Sequence, residues 1–199
     1  MAGAHEQLER AEHAEHAAHG HGPSSTNKRI ALLIAILALF LAISETLGKG
    51  AQTEGLNYNV EASNLWAFFQ AKTIRQTAVR TAAETVELTR PQVTDPAVAK
   101  RLDTWAKTVA RWETEPETQE GRKELAVRAK QAETKRDTSL ARYHHYEVAS
   151  AAFQIAIVLA SAAVITSAMV LAFVAIGLGA VGLVFTAIGL LAPHSVHLF

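Results

Sequence analysis

From Val148 to Phe199 the chain carries no Asp, Glu, Lys or Arg: 52 residues without a formal charge. A tail like that leaves few folds open, because a water-soluble domain places charges at its surface. A helix needs about 20 apolar residues to span a bilayer, so the tail has room for two. The pattern predicts a helical hairpin over 148–167 and 169–191, turning near Thr166 and Ser167, inside a segment 148–192 followed by a tail 193–199.

The other charges are unevenly placed. Residues 30–43, IALLIAILALFLAI, are wholly apolar, and with residues 44–48 they make a slightly short third span over 30–48. A cleaved signal peptide is the alternative for that segment. The polar leader 1–29 is long and the residues after the apolar run do not read as small-x-small, so an uncleaved anchor is expected. The middle region 49–147 holds 16 of the 19 Lys and Arg residues and 14 of the 19 Asp and Glu residues. Overall the charges cancel, which leaves no broad nucleic-acid footprint. There is no Cys, hence no disulfide frame, thiolate chemistry or Cys zinc site.

The expected fold is all-α. It is an integral membrane protein with three transmembrane helices and an extramembrane antiparallel, coiled-coil-like helical hairpin with a small helical cap. Within 49–147, residues 56–88 lack Pro and Gly, and Val60, Ala67, Ala71, Ile74, Ala78, Ala82 and Val86 fit one helical face. Asp95-Pro96 reads as an N-cap followed by an N1 proline. Val98, Leu102, Trp105, Val109 and Trp112 then repeat at 4, 3, 4, 3, and Thr114-Glu115-Pro116 ends that helix. A further helix is expected from 117 into the second span, with a seam of Leu125, Ala129, Ala132, Arg136, Ser139, Tyr143 and Tyr146. That seam is poor in large apolar side chains, and helices of this kind draw most of their stability from packing. Other copies or a partner could supply it. Trp66, Phe68 and Phe69 cover more than one helix face, which points the same way.

The spans carry small-residue seams. These are Ala31, Ala35, Ala38 and Ala42 in the first, Ala149, Ala152, Ala156, Ala160, Ala163 and Ser167 in the second, and Ala168, Ala172, Ala175, Gly179, Gly182, Thr186 and Gly189 in the third. In lipid, helices associate where small residues let backbones approach. Either these seams pack within the chain or one of them, with Gly179, Gly182 and Gly189 foremost, is a self-association face. Candidate interaction residues are therefore those glycines with Trp66, Phe69, Trp105 and Trp112. Glu45 extends the first seam, and an ionisable group at a span's edge needs a partner or water. Arg142, His144 and His145 open the second span, so Glu45 either pairs with one of these at the interface or sits in headgroup water beside a belt of tyrosines.

The leader contains His13, His16 and His19, three residues apart, a spacing that lets imidazoles on one helix face share a divalent transition metal. A frayed, solvated amphipathic helix and a pH-sensing segment are the other readings. No other cofactor is expected. There is no P-loop, GxGxxG, GxSxG or HExxH pattern, and a narrow helical hairpin offers little room for a catalytic pocket. The chain is read as a non-enzyme.

The order of parts, with residues 51–76 (AQTEGLNYNVEASNLWAFFQAKTIRQ) and 146–161 (YEVASAAFQIAIVLAS), resembles the bacterial domain-of-unknown-function 4337 family of membrane proteins. The resemblance covers nearly the whole chain, and EASNLWAFFQAK is its most specific stretch. It implies a mostly helical protein of the bacterial inner membrane with no assigned activity, and it brings no catalytic residues. Lys28 and Arg29 beside the first span favour a cytoplasmic N-terminus and a periplasmic middle domain by the positive-inside rule. Lys130, Lys135, Arg136 and Arg142 before the second span pull the other way. The expected role is a membrane-anchored scaffold that self-associates in contact with the lipid bilayer. An accessory subunit of a larger membrane complex and a metal- or pH-responsive sensor are the alternatives.

Overall fold

A computed structural model describes residues 25–89 and 95–196. Among these residues there are four helices and no strand: α1 (Ser25–Thr89), α2 (Pro96–Glu113), α3 (Arg122–Thr166) and α4 (Met169–Leu191). Three of them, α1, α3 and α4, contain segments long and apolar enough to cross a membrane. The leader with His13, His16 and His19 lies outside the described residues.

The chain divides into two compact units. An apolar unit comprises the chain up to Gly48 with His144–Ser195, and a polar unit comprises Lys49–Tyr143. In the apolar unit α3 ends at Thr166 and α4 begins at Met169. Ser167 and Ala168 lie between them, and Ser167 adopts the left-handed conformation (φ 56°) that helps turn the chain. The core is Ile30 and Leu37 of α1, Ala149, Phe153, Ala156, Ala160 and Ala163 of α3, and Ala172 and Ala175 of α4. Small residues on α4 meet large ones. A Cβ on Gly179 would lie 2.7 Å from the Leu37 side chain, one on Gly182 2.8 Å from the Phe153 ring, and one on Gly189 2.8 Å from Tyr146. Phe153 is wholly buried and stacks on Phe40 at 6.0 Å.

The seams expected for the second and third spans thus pack inside the chain. All their members from Ala149 to Ala163 and from Ala172 to Gly189 are buried, while Ser167 and Ala168 at the turn are exposed. The first span differs from expectation. Ala31, Ala35, Ala38 and Ala42 are exposed, and the buried line is Ile30, Leu37, Ser44 and Gly48. Both faces of that segment are apolar, so periodicity alone could not tell core from surroundings.

In the polar unit, α1 and α3 run in opposite directions along each other. Gly55 meets Leu140, Trp66 meets Glu133, and Gln76 meets Arg122. The core is Ala62, Leu65, Leu125, Ala129 and Ala132, flanked by Trp66, Phe68 and Phe69. Two expectations are corrected here. The buried line of α1 is Ala51, Gly55, Ala62, Leu65, Lys72 and Gln76, whereas Val60, Ala67, Ile74, Ala78 and Ala82 are exposed. A ranking by apolarity passed over Lys72 and Gln76, which are buried because each finds partners. Secondly, α3 starts at Arg122 and not at 117. The stretch 114–121 is a turn, with Gln119 left-handed (φ 59°) and Gly121 packed too closely for a side chain.

α2 forms as the sequence predicts. The Asp95 carboxylate accepts from the Ala97 N–H at 2.8 Å, Pro96 opens the first turn, and the helix stops at Thr114.

Candidate functional site

Three places in the two units gather polar or aromatic side chains in ways that bear on function. The first is a junction where α1, the end of α2 and the start of α3 meet. Gln76 is buried, and its amide is used in full. The side-chain N–H groups donate to the Val109 carbonyl (3.3 Å) and to Glu113 Oε2 (3.0 Å), and its oxygen accepts from Arg122 Nη1 (2.6 Å). Arg122 Nη1 also donates to Glu113 Oε2 at 2.9 Å. The Arg122 guanidinium lies over the Phe69 ring at 5.0 Å, so its Nε, which has no hydrogen-bond partner, still faces a ring's negative surface. The hydrogen bond from Gln76 holds the Glu113 carboxyl below the usual carboxylate range; partial burial opposes this, and Arg122, Lys123 and Arg80 add to it.

Lys72 is buried where Arg122 is only half-buried. It lies over the Phe68 ring at 5.1 Å and pairs with Glu115 at 3.5 Å. The Glu115 N–H donates to Glu124 Oε2 at 3.1 Å. A Cβ on Gly121 would overlap that carboxylate and the Glu115 nitrogen. Apart from Arg122 Nε, the junction is a set of polar groups that satisfy one another. Its chemistry is that of a clamp holding α2 to the other two helices.

The second place is the groove beyond the clamp. Past Gln76, no residue of α1 is buried, and no residue of α2 is buried. The facing sides carry Val79, Ala83 and Val86 on α1 and Val98, Leu102, Trp105 and Val109 on α2, all half-buried or lining the gap. They enclose two adjoining cavities of about 510 and 550 Å³ that share Leu102 and Trp105 as walls. Arg80, Glu84, Glu87 and Glu113 rim the first, so its mouth is net acidic. The chemistry of such a groove, apolar walls with an acidic rim, suits apolar side chains with basic residues beside them.

The third place is the polar set of the apolar unit. Ser44 is fully buried, with its Oγ 2.9 Å from Thr186 Oγ1. Thr186 gives its one hydroxyl proton to the Gly182 carbonyl (2.9 Å), so Ser44 is the donor to Thr186. Gln154 Nε2 donates to Glu45 Oε1 at 3.3 Å, with both residues exposed. His145 is 1% exposed, stacks on Phe185 at 6.1 Å, and places Nε2 3.0 Å from the Pro193 carbonyl. A carbonyl only accepts, so Nε2 carries the proton and Nδ1 is left buried without a partner.

The residues singled out from sequence distribute over these places. Glu45 meets Gln154, a residue the sequence reading missed, instead of Arg142, His144 or His145. His144 pairs with Glu147 at 3.6 Å, and His145 holds the chain after α4. Gly179, Gly182 and Gly189 face their own chain. Trp66 donates to Glu133 (2.8 Å) and meets Phe69 edge-on at 5.5 Å, and with Phe68 both are half-buried. Trp105 is a groove wall, and Trp112 is half-buried on the same helix. Gln76 and Arg122 went unnoticed because nothing marks a lone Gln or Arg until its partners, 46 residues apart in sequence, are brought together. Among the described residues no cluster of His, Asp and Glu could hold a metal ion.

No curated protein and no solved structure matches the chain. The family model described as Domain of unknown function (DUF4337) matches residues 26–192, a span that contains the clamp, the groove and all three apolar segments. The chain belongs to that family.

Proposed function

We propose that this protein is a non-catalytic, membrane-anchored structural protein that self-associates through the arm formed by residues 77–89 of α1 and 96–113 of α2. The anchor in this reading is α1, α4 and the second half of α3 placed as three spans in a bacterial inner membrane. The polar unit is the helical hairpin outside the bilayer, on the periplasmic side if Lys28 and Arg29 fix the N-terminus inside. The observation that carries the reading is the unfinished core of the arm. A clamp of buried hydrogen bonds fixes two amphipathic helix segments side by side, yet beyond it no side chain is fully buried. Leu102 and Trp105 stand in open cavities. Apolar surface held in place and left uncovered is what an association site presents.

The test is the mass of the purified protein in lipid nanodiscs by light scattering. A single discrete multiple of the 21.4 kDa chain is expected, and Leu102→Ala with Trp105→Ala is expected to lower it. A monomer sinks the reading. A stoichiometric second protein favours the accessory-subunit alternative, for which the acidic rim of Glu84, Glu87 and Glu113 speaks, since it suits a basic amphipathic helix.

A further inference from the structure

We propose that the face of the apolar unit carrying Glu45 and Gln154 is an interface with a second copy of this chain inside the bilayer. The inference rests on the membrane-anchored, self-associating reading above and adds a contact within the spans to the one in the arm.

Glu45 lies four residues before Lys49, the next charge along α1 and the residue that follows the span 30–48. At 1.5 Å per residue that is about 6 Å inside the boundary. Side chains on a helix lean toward its N-terminus, which for Glu45 is away from Lys49 and toward the middle of the span. Gln154 lies seven residues after Glu147, the last charged residue in the chain, or about 10 Å along α3. The two side chains meet at 3.3 Å, and both residues are exposed. A carboxyl and a carboxamide on a surface that faces hydrocarbon are costly, and such groups face other protein in membrane bundles.

The pair is also self-complementary. The contact uses one Glu45 oxygen and one Gln154 N–H. Glu45 keeps a second acceptor oxygen, and Gln154 keeps a second N–H and a carbonyl. A two-fold axis beside them sets the Gln154 of each copy against the Glu45 of the other, because the same patch supplies donor and acceptor. Ala38 and Ala42 continue the line of Glu45 along α1 and are exposed, so a neighbouring backbone can approach closely there. Gly179, Gly182 and Gly189 of α4, by contrast, are filled by Leu37, Phe153 and Tyr146 of the same chain and offer no such approach; Gly177 and Ala180 on the outer face of α4 are open but have no polar pair beside them.

The absence of cysteine makes a direct test simple. Ala42→Cys in the full chain, in native membranes or nanodiscs, is oxidised and compared with Val174→Cys, which is exposed on α4. A disulfide dimer with Ala42→Cys and none with Val174→Cys is the expected result. Adding Glu45→Leu and Gln154→Leu is expected to lower the dimer yield about tenfold, since interhelical hydrogen bonds in bilayers are individually modest and two are lost per dimer axis. Equal cross-linking of the two cysteine variants, or a yield indifferent to the double Leu change, overturns the interface. A light-scattering multimer without the Ala42→Cys dimer refutes this proposal and leaves the arm reading standing. The Ala42→Cys dimer in a protein whose mass ignores Leu102→Ala and Trp105→Ala does the reverse.

Discussion

The two units solve the same problem, holding long helices side by side, with opposite means. The apolar unit packs by shape. Its buried line is Ala and Gly against Leu37, Phe153 and Tyr146, and its buried hydroxyls are few and fully used. The polar unit packs with a short aliphatic core at Leu65 and Leu125 and then relies on charge and hydrogen bonds, with Lys72, Gln76, Glu113 and Arg122 where more apolar contact would be expected. The contrast is the one expected if, as proposed, the apolar unit lies in lipid and the polar unit in water. In lipid, apolar side chains gain nothing by leaving their solvent, so close backbone approach decides which faces meet. In water, burial of Leu125 is itself favourable, and polar side chains can be brought in where they satisfy one another.

The largest expected effect tests that difference head-on. Leu125→Ala, at a wholly buried site, is expected to destabilise the polar unit by about 3 kcal/mol through lost transfer energy and a cavity. Phe153→Ala removes more atoms from an equally buried site, yet is expected to cost about the same or less, since only packing is lost in the spans. Urea unfolding of the first and SDS titration of the second give the two numbers. A clearly greater cost per atom for Phe153 would break the comparison.

Next in size is Gly121→Ala, which forces a methyl group into the Glu115 backbone and the Glu124 carboxylate. A loss of about 2 kcal/mol is expected from overpacking, read as a lower urea midpoint confined to the polar unit. Acid should act on the same region more gently. The Glu113 carboxyl titrates below its ordinary value because the folded state favours its charge. Its contribution is therefore complete above the unfolded value, near 4.3, and fades as pH falls through the lower folded value. With its side chain 34% exposed, the effect is expected to stay under about 1 kcal/mol. Glu113→Gln should flatten the stability profile between pH 5 and pH 3, and an unchanged profile would remove Glu113 from the clamp's energetics. Smallest is Ser44→Ala, at about 0.6 kcal/mol for one interhelical hydrogen bond in a bilayer, measured by SDS titration.

Much of this architecture was legible in the sequence because its signals are chemical breaks. A stretch without charge, an Asp-Pro start and a turn at Thr166-Ser167 each stop or begin an element for a local reason. The seams of α3 and α4 were legible for a similar reason, since Ala and Gly repeat there at helical spacing with larger residues between. The first span was not, because Ala31 to Ala42 and the line through Leu37 are both apolar and only the neighbours decide which turns inward. The clamp was the least legible. Gln76 and Lys72 look like surface residues of a charged helix, and their partners come from α2, the turn at 114–121 and α3. Glu45 stood out as an oddity, but Gln154 did not, since a single amide in an apolar run carries no pattern.

The placement of Trp66, Trp105 and Trp112 has a practical consequence. All three tryptophans of the chain fall between Lys49 and Tyr143, so emission excited selectively at tryptophan reports on the polar unit. Trp66 is pinned by Glu133 and by Phe69, whereas Trp105 stands in an open cavity. Light from the arm therefore shifts toward the blue when its groove is covered by anything apolar. If the proposed self-association covers the groove, that shift gauges it on the purified protein without a label.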